Sequence, residues 1–307
     1  MCNLSILMPV YNAGNYVQQA IESILCQSYT NWELLVCDDN SQDNSLSILE
    51  SFRDPRIKIY SNKTNLKKPK TVNKLFGFAK GQYITIHDAD DISDPLRFEK
   101  QINQLESSSA IFCGCNIEYI SEGGKRLNII IDKKKYEQDD FPRYGDATII
   151  VKKPYIENEP IFRDYFKNNM DYDLGLRLLD KGEYTNVDES LYFYRNVFGS
   201  VSKSYQNPKN LVYKWMAFHF ASQRRSGIKD DLELGAVKKI NDSENEIIKN
   251  LTTNPYQYEI EIIYFLVSIK MYQEALKINL IAIKRYPFFI PLYKSIFKIF
   301  LKWILQR

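Results

Sequence analysis

Three aspartates, Asp88, Asp90 and Asp91, follow an apolar, strand-like segment in the stretch GQYITIHDADDISDP, residues 81–95. Neighbouring carboxylates repel one another and are costly to bury, so such a cluster needs water, a cation or hydrogen-bond donors beside it. If the backbone is extended, Asp88 and Asp90 point the same way and can share one hard divalent cation. The alternative is a solvated turn in which an aspartate caps the helix predicted at RFEKQINQL.

The elements around the aspartates help to decide between these interpretations. Up to about residue 105, apolar strand candidates alternate with helical patterns, of which the third is TVNKLFGFAK, residues 71–80. This alternation predicts βαβ units and a parallel sheet. Because the carboxyl ends of parallel strands meet at one edge, Pro9–Asn12, Asp38–Asp43 and Asp88–Asp91 are expected to line one crevice, where open α/β sheets bind ligands.

The later part of the chain is less regular. Short strands are predicted near AIFCGCNIEYI, DATIIVKK and TNVDESLYFYR, an amphipathic helix at MDYDLGLRLLDKG, and a basic loop at 132–135. From about residue 207 onward the patterns are helical. We therefore predict an α/β domain over residues 1–205 and a C-terminal all-α region over residues 206–307.

Composition and charge exclude several classes of protein. The chain has 307 residues with 44% hydrophobic content, which favours a folded globular protein over a disordered one. The net charge of +3 does not indicate a nucleic-acid partner. Five cysteines without CxxC spacing predict reduced cytosolic thiols, and neither a secretion signal nor a membrane span is evident. We expect a cytoplasmic protein.

Several ordered motifs over residues 4–203 together resemble family 2 of the inverting nucleotide-sugar glycosyltransferases. These are the block MPVYNAGNYVQQAIESILCQSYTNWELLVCDDNSQDNS, the motif HDADDISDPLRFEKQ, the helix MDYDLGLRLLDKG and the strand DESLYFYR. The resemblance implies the GT-A fold, which is a Rossmann-like, mostly parallel sheet with flanking helices. It also implies that HDADD is the DXD motif of a bacterial polysaccharide-synthesising transferase.

The resemblance also assigns roles to individual residues. Asp39 would accept a hydrogen bond from the nucleotide base, for which uracil is the usual choice, although Asp39 could instead cap the helix at NSLSILESF. Asp88 and Asp90 would hold Mn²⁺ or Mg²⁺ against the diphosphate. The set expected to bind the nucleotide sugar is Pro9, Val10, Tyr11, Asn12, Asp38, Asp39, Lys70, Asp88, Ala89 and Asp90.

Asp171 falls where the family has its general base. Inversion by direct displacement needs a carboxylate within hydrogen-bond reach of the acceptor hydroxyl. Asp173 is the competitor, but two positions along a helix it points about 200° away. An N-cap role for Asp171 is the alternative. Arg177 is expected to serve structure, paired with an acidic residue.

The sequence departs from the family pattern at two places. The arginine that often approaches the nucleotide is missing, and Lys67, Lys68 and Lys70 lie nearby as replacements, although a lysine lacks the bidentate fork of arginine. The frequent histidine after the Tyr-Arg pair is replaced by Val197, which leaves its role to Arg195, Ser200 or Ser202. His87 is expected to be a packed residue rather than a ligand.

The last segment, YKSIFKIFLKWILQR, carries Lys294, Lys298 and Lys302 on one helical stripe among apolar residues. Such a helix could lie on the inner face of the cell membrane or pack against its neighbours or a second subunit, and the sequence leaves both open.

The resulting hypothesis is a metal-dependent, inverting glycosyltransferase of the hexosyltransferase type. It would move a sugar from a nucleotide diphosphate, most simply UDP, to a hydroxyl of a glycan or lipid-linked acceptor in surface polysaccharide synthesis. One alternative is a catalytically silent glycan-binding or scaffold protein with the same fold. A nucleotidyltransferase is the other, and it is disfavoured because no glycine-rich G-x-G-T-R loop occurs near the N-terminus.

Overall fold

The computed structural model describes residues 3–131, 145–195, 208–253, 272–286 and 289–304, together with the single residues 260, 263 and 267. Within these residues the chain forms one mixed sheet of nine strands. The strands are β1 Leu4–Val10, β2 Trp32–Asp38, β3 Ile57–Ser61, β4 Tyr83–Ile86, β5 Ile92–Ser93, β6 Phe112–Ile120, β7 Arg126–Ile131, β8 Ile150–Lys152 and β9 Tyr184–Arg195.

The sheet has a parallel half and a mixed half. Its strand order is β3-β2-β1-β4-β8-β6-β9-β5, and β7 pairs with β6. The pairs β3-β2, β2-β1, β1-β4 and β6-β9 are parallel. The pairs β4-β8, β8-β6, β6-β7 and β9-β5 are antiparallel. The predicted α/β class is confirmed, with the parallel arrangement complete through the first four strands.

Helices flank this sheet and also follow it along the chain. They are α1 Val17–Leu25, α2 Ser45–Leu49, α3 Lys67–Phe76, α4 Arg97–Glu106, α5 Met170–Leu179, α6 Pro208–Arg225, α7 Val237–Thr253, α8 Tyr272–Arg285 and α9 Ile290–Ile304. Apolar side chains of the first strands and of α1 and α4 form one buried cluster, and those of α3 and α5 join a second cluster with other sheet residues. The predicted C-terminal helices are therefore present where the chain is described.

The third helix begins earlier than the sequence suggested. The pattern predicted a helix over residues 71–80, whereas α3 starts at Lys67 and ends at Phe76. Pro69 lies in its first turn, where a missing N–H costs nothing because that group has no partner within the helix. The reason for the early start is a distant carboxylate, described below.

Some predictions fall on residues that the structure does not describe. These are the basic loop at 132–135, the predicted domain boundary between 205 and 206, and the residues Val197, Ser200 and Ser202. Each of them stays a prediction. The cysteines that are described, Cys26, Cys37, Cys113 and Cys115, are all free thiols.

The chain divides into two compact units. The first comprises Met1–Phe198 and Ala217–Asp230, and the second comprises Gly199–Met216 and Asp231–Arg307. The first unit therefore contains the whole sheet and also the later half of α6 with the turn that follows it.

Buried ion pairs join that returning segment to α5 within the first unit. Asp173 of α5 accepts from the Nε of Arg163 at 3.0 Å and from the Nε of Arg177 at 3.1 Å. Arg163 also donates to Asp230 at 2.6 Å, and Arg224 donates to the same carboxylate at 2.7 Å. Asp173 is 1% exposed, so these bonds compensate a fully desolvated charge. The structural role expected for Arg177 is confirmed.

A glycine allows the chain to approach the first strand closely before β4. A methyl group on Gly81 would lie 2.5 Å from the backbone nitrogen of Ser5 and 2.9 Å from the carbonyl oxygen of Asn3. We expect Gly81→Ala to lower the free energy of unfolding by about 1–3 kcal/mol, the usual cost of overpacking. Urea denaturation measures this change.

The matched control is Gly123→Ala, because nothing lies within 4 Å of the added methyl group there. This variant should unfold at nearly the wild-type urea concentration. Equal stability of the two variants would contradict the close approach at Gly81.

Candidate active site

The ends of three neighbouring strands bring the sequence motifs together. Val10 at the end of β1 lies opposite Asp38 at the end of β2, and Leu7 of β1 lies opposite Ile86 at the end of β4. The three loops that follow these strands therefore begin at one edge of the sheet. The expected position of Pro9–Asn12, Asp38–Asp43 and Asp88–Asp91 at one edge of the sheet is confirmed, and their role in binding a ligand stays a prediction.

Asp39 organises the start of α3. Its carboxylate is 3% exposed and accepts the backbone N–H groups of Leu66 and Lys67, each at 2.8 Å, and the side-chain amide of Asn62 at 2.8 Å. Helix N-termini carry unpaired N–H groups and a partial positive charge, which a carboxylate satisfies. Asp39 thus caps α3 rather than the helix at NSLSILESF. A carboxylate offers about four acceptor positions, so one remains for a ligand.

Hydrogen bonds inside the first two loops hold them to each other. Asn12, whose φ is 50°, donates its N–H to the Ser41 hydroxyl and accepts the Gln42 N–H with its side chain. The Ser41 N–H donates to Asp38 at 3.1 Å. Asp43 accepts from the N–H of Ser45 at the start of α2. The predicted binding residues Asn12 and Asp38 therefore both shape this edge of the crevice.

The expected wall for the base has one accessible aromatic ring. The Tyr11 side chain is 48% exposed, and the Nζ of Lys67 lies 5.8 Å from the centre of its ring. Pro9 is partly exposed, whereas the Val10 side chain is fully buried in the core. Val10 contributes its carbonyl oxygen, which accepts the Asp39 N–H at 2.7 Å.

Lys68 bridges two carboxylates at the centre of the site. Its Nζ lies 2.7 Å from Asp88 Oδ1 and 2.9 Å from Asp146 Oδ2. Burial lowers the pKa of Lys68, but the charges of Asp146 and Asp88 outweigh it and raise that pKa well above its ordinary value. Lys70, which the sequence singled out, is instead exposed, and its Nζ lies 3.7 Å from Asp164.

The other two aspartates of the loop after β4 occupy different environments. Burial and the charge of Asp88 raise the pKa of the Asp90 carboxyl to about 6. Asp91 is 1% exposed and accepts the backbone N–H of Arg195 at 2.8 Å. Arg195 also donates its Nε to the carbonyl of Asp90 at 2.6 Å, so this buried arginine holds the loop. Ala89, between the acidic residues, is buried.

His87 lies beneath this loop as a packed residue. Burial, followed by the nearby Arg97, lowers the pKa of His87 to about 3, which keeps the ring neutral. Its Nδ1 lies 2.8 Å from the Asp88 carbonyl and its Nε2 lies 3.0 Å from the Ser93 hydroxyl. A neutral ring can therefore donate to the carbonyl and accept from the hydroxyl.

Asp171 is the second residue of α5 and lies close enough to Asp146 and Lys68 for both charges to act on its carboxyl. The N-cap of that helix is Asn169, so an N-cap role for Asp171 does not apply. Burial and then the charge of Asp146 raise the pKa of Asp171 to about 7, while Lys68 acts in the opposite direction. Asp173 is tied to two arginines, as described above. Of the two candidates, Asp171 has the properties of a base near neutral pH.

Asp88 and Asp90 suit a hard divalent cation. Among the described residues the Asp90 carboxylate forms no ion pair. Burial and then the charge of Asp88 raise its pKa, and a bound cation would offset both effects. No group of three or more Asp, Glu, His or Cys residues in the described ranges could enclose a metal. Two carboxylates with substrate phosphates and water are, however, a usual way of holding Mg²⁺.

The importance of two residues of this site, Asp146 and Lys68, is not evident from the sequence. The sequence does not indicate a role for Asp146, because the preceding residues have no clear pattern and its role depends on the contact with Lys68. Lys68 was considered as one of three replacements for a missing arginine, without a reason to prefer it. The one available signal for Asp146 is that it is an acidic residue at the first position of the predicted strand segment DATIIVKK.

The chain is similar to known glycosyltransferases. The family model described as glycosyl transferase family 2 matches residues 5–166. A Haemophilus influenzae protein described as an uncharacterized glycosyltransferase is 30% identical over 69% of this chain and 71% of its own length. A further relative is the Escherichia coli UDP-Glc:alpha-D-GlcNAc-diphosphoundecaprenol beta-1,3-glucosyltransferase WfgD, which is 38% identical over 38% of this chain.

The putative glycosyltransferase EpsE from Bacillus subtilis is 43% identical over 34% of this chain. The matched segments cover 38% of the length of EpsE and 47% of the length of WfgD. The crystal structure of Staphylococcus aureus TarS 1–349 with UDP-GlcNAc aligns with a TM-score of 0.55 and 18% identity, over 66% of this chain and 61% of that one. This likeness supports the GT-A fold. On the family match and the Haemophilus relative, the chain belongs to glycosyl transferase family 2.

Proposed function

We propose that this family 2 glycosyltransferase is a metal-dependent, inverting enzyme that uses a UDP-sugar. The observation that carries the proposal is the Asp171 carboxyl, whose pKa of about 7 suits a general base. It lies near the Lys68–Asp146 pair, and Lys68 contacts Asp88 of the DXD motif. A displacement reaction needs a base for the attacking hydroxyl and a binding site for the leaving diphosphate, and this cluster offers candidates for both.

The reaction requires a proton acceptor on one side of the sugar and charge compensation on the other. Asp171 would take the proton of the acceptor hydroxyl as its oxygen bonds to the anomeric carbon. The bond from that carbon to the diphosphate breaks, and its electron pair leaves with the nucleotide. Bound by Asp88 and Asp90, Mn²⁺ or Mg²⁺ would offset the charge that develops on the diphosphate. The configuration at the anomeric carbon is inverted.

Donor binding would use the edge made by the first two loops. The free acceptor position of Asp39 suits the imide N–H of uracil, and Tyr11 offers a ring surface for the base or ribose. Asn12, Asp38, Pro9, Val10 and Ala89 shape this pocket, and Lys70 stays a predicted contact. TarS binds UDP-GlcNAc in its crystal structure, and the name of WfgD gives UDP-Glc, which supports a uridine donor.

A hydroxyl of a glycan or lipid-linked saccharide is the acceptor that we propose. The names of several relatives support this class, since WfgD acts on a diphosphoundecaprenol-linked sugar and others are chondroitin and hyaluronan synthases. Surface polysaccharide synthesis in a bacterium is the process that we infer from these names. A silent glycan-binding protein remains the alternative that the following experiment separates.

Asp171→Asn should remove the proton acceptor without removing the donor site. We expect turnover to fall by roughly 10²–10⁴, the usual range for losing a general base. The affinity for UDP, titrated calorimetrically with Mn²⁺, should stay at the wild-type value, and EDTA should abolish binding to both proteins.

Asp164→Asn is the matched control, since this exposed carboxylate lies 3.7 Å from Lys70 and outside the predicted machinery. It should retain wild-type turnover. A full wild-type rate in Asp171→Asn would contradict the assignment of the base, and a silent protein would show no turnover in any variant.

The rate should depend on pH through Asp171. Because the base acts only when ionised and its pKa is about 7, kcat/KM should fall tenfold per pH unit below that pH. Asp146→Asn removes a negative charge that raises this pKa, so the acid limb should move to lower pH. A pH profile of kcat/KM for both proteins measures the shift.

Stability provides a second readout of the same group. A carboxyl whose pKa is raised on folding binds its proton more tightly in the folded state, so it destabilises the fold as the pH rises from 3.8 to about 7. Asp171→Asn should remove this loss.

An acid limb of the kcat/KM profile that does not move in Asp146→Asn would contradict the proposed electrostatic link.

We also propose that α9 contacts an anionic membrane surface from the cytoplasmic side. Ile290 and Phe297 on one face are 65% and 69% exposed, next to the exposed Lys294 and Lys298. The residues of α9 include no aspartate or glutamate. Two copies of this face would bring lysines together, whereas anionic lipids complement them. No helix of the described residues is long and apolar enough to span a membrane.

Vesicles of phosphatidylglycerol and phosphatidylcholine test this contact by flotation. We expect binding that weakens with salt and is absent with phosphatidylcholine alone. The double variant Ile290→Glu with Phe297→Glu should lose it, while Ile228→Glu, at a residue that is 59% exposed in the first unit, should retain it. Dimerisation lost in the double variant, without vesicle binding by the wild type, would instead identify a second subunit as the partner.

A further inference from the structure

The ammonium group of Lys68 lies against the carboxylate that is proposed to hold the metal. It is 2.7 Å from Asp88 Oδ1 and also 2.9 Å from Asp146 Oδ2. The side chains of Lys68, Asp88 and Asp146 are 30%, 24% and 12% exposed, respectively, so solvent screens the two ion pairs only in part. In the donor-free protein, Asp88 therefore already has a cationic partner.

A divalent ion on Asp88 would stand close to this ammonium group, and the two cations would repel each other. A diphosphate beside them changes the balance, because its negative charge attracts both. Lys68 can also keep Asp146 as a partner when Asp88 turns to a metal. Lys68 therefore has an acidic partner both before and after a metal binds to Asp88.

Lys68 is held at this position by the nucleotide side of the site. The backbone just before it, at Leu66 and Lys67, donates to Asp39, and Lys67 adopts a positive φ of 72°. The residue proposed to read the base therefore fixes the start of the helix that carries Lys68. If a nucleotide forms a hydrogen bond to Asp39, the distance between its phosphates and Lys68 is therefore fixed.

We infer that Lys68 occupies the cation position at Asp88 in the donor-free enzyme, so that the metal binds tightly only together with the nucleotide diphosphate. This inference rests on the proposed function of the site. Its thermodynamic form is a positive coupling between metal and nucleotide, which must be equal in both directions. Lys68 would be a positioning residue that sets this coupling, and Asp146 would be its alternative partner.

Mn²⁺ binding measured without nucleotide tests the inference directly. We expect wild-type protein to bind Mn²⁺ weakly at pH 8, by calorimetry or by the spin-resonance signal of the free ion. Lys68→Met should bind it at least tenfold more tightly, because the competing cation is gone. UDP should tighten Mn²⁺ binding strongly in the wild type and by a much smaller factor in Lys68→Met.

Lys100→Met is the matched control, since this lysine of α4 pairs with the exposed Glu189 and has no role in the proposed site. It should leave both Mn²⁺ constants unchanged. Lys68→Arg keeps the charge and should bind Mn²⁺ as weakly as the wild type, which separates charge from misfolding. Unchanged nucleotide-free Mn²⁺ affinity in a folded Lys68→Met would overturn the inference.

Failure of the proposed function would look different. If the wild type bound neither UDP nor GDP nor dTDP with Mn²⁺, the donor assignment would fail. The comparison of nucleotide-free Mn²⁺ binding would still decide whether Lys68 competes at Asp88.

Discussion

The crowding of carboxylates at one edge of the sheet is the constraint on which this structure depends. Burial raises the pKa values of the Asp90, Asp91, Asp146 and Asp171 carboxyls, and the charge of a neighbouring aspartate adds to this increase in each case. Such a group would not stay folded and ionised without compensation. The surrounding chain supplies positive charge and hydrogen-bond donors that compensate part of it.

That compensation comes from elements remote in sequence. Arg195 at the end of β9 fixes the loop after β4 through Asp91 and the Asp90 carbonyl, and Lys68 of α3 contacts Asp88 in the same loop. Asp39 of the second loop, in turn, fixes the start of α3. The parallel half of the sheet thus provides Asp88 and Asp90 and also the helix whose lysine partly neutralises them. Fold and chemistry are coupled through a few charge-assisted hydrogen bonds.

The sequence predicted well whatever depends on local pattern. Strand alternation placed the three loops at one edge, and helical spacing separated Asp171 from Asp173, which the buried arginines then explain. It could not predict the start of α3, because the capping carboxylate of Asp39 comes from another loop. It also gave no reason to choose Lys68 over Lys70, since Asp146 is distant in sequence and only the folded chain brings them together. Non-local pairing of charges leaves no periodic signal.

The buried ion pairs of Arg163 have a consequence for dissecting the chain. A polypeptide truncated soon after β9 would keep the whole sheet but lose Asp230 and Arg224, and with them one face of the packing around α5. Removing one partner of a buried charge commonly costs about 3–5 kcal/mol, a large part of the roughly 5–15 kcal/mol by which folded domains are stable. The smallest autonomously folding catalytic fragment should therefore extend through residue 230, and limited proteolysis should spare the later half of α6 together with the sheet.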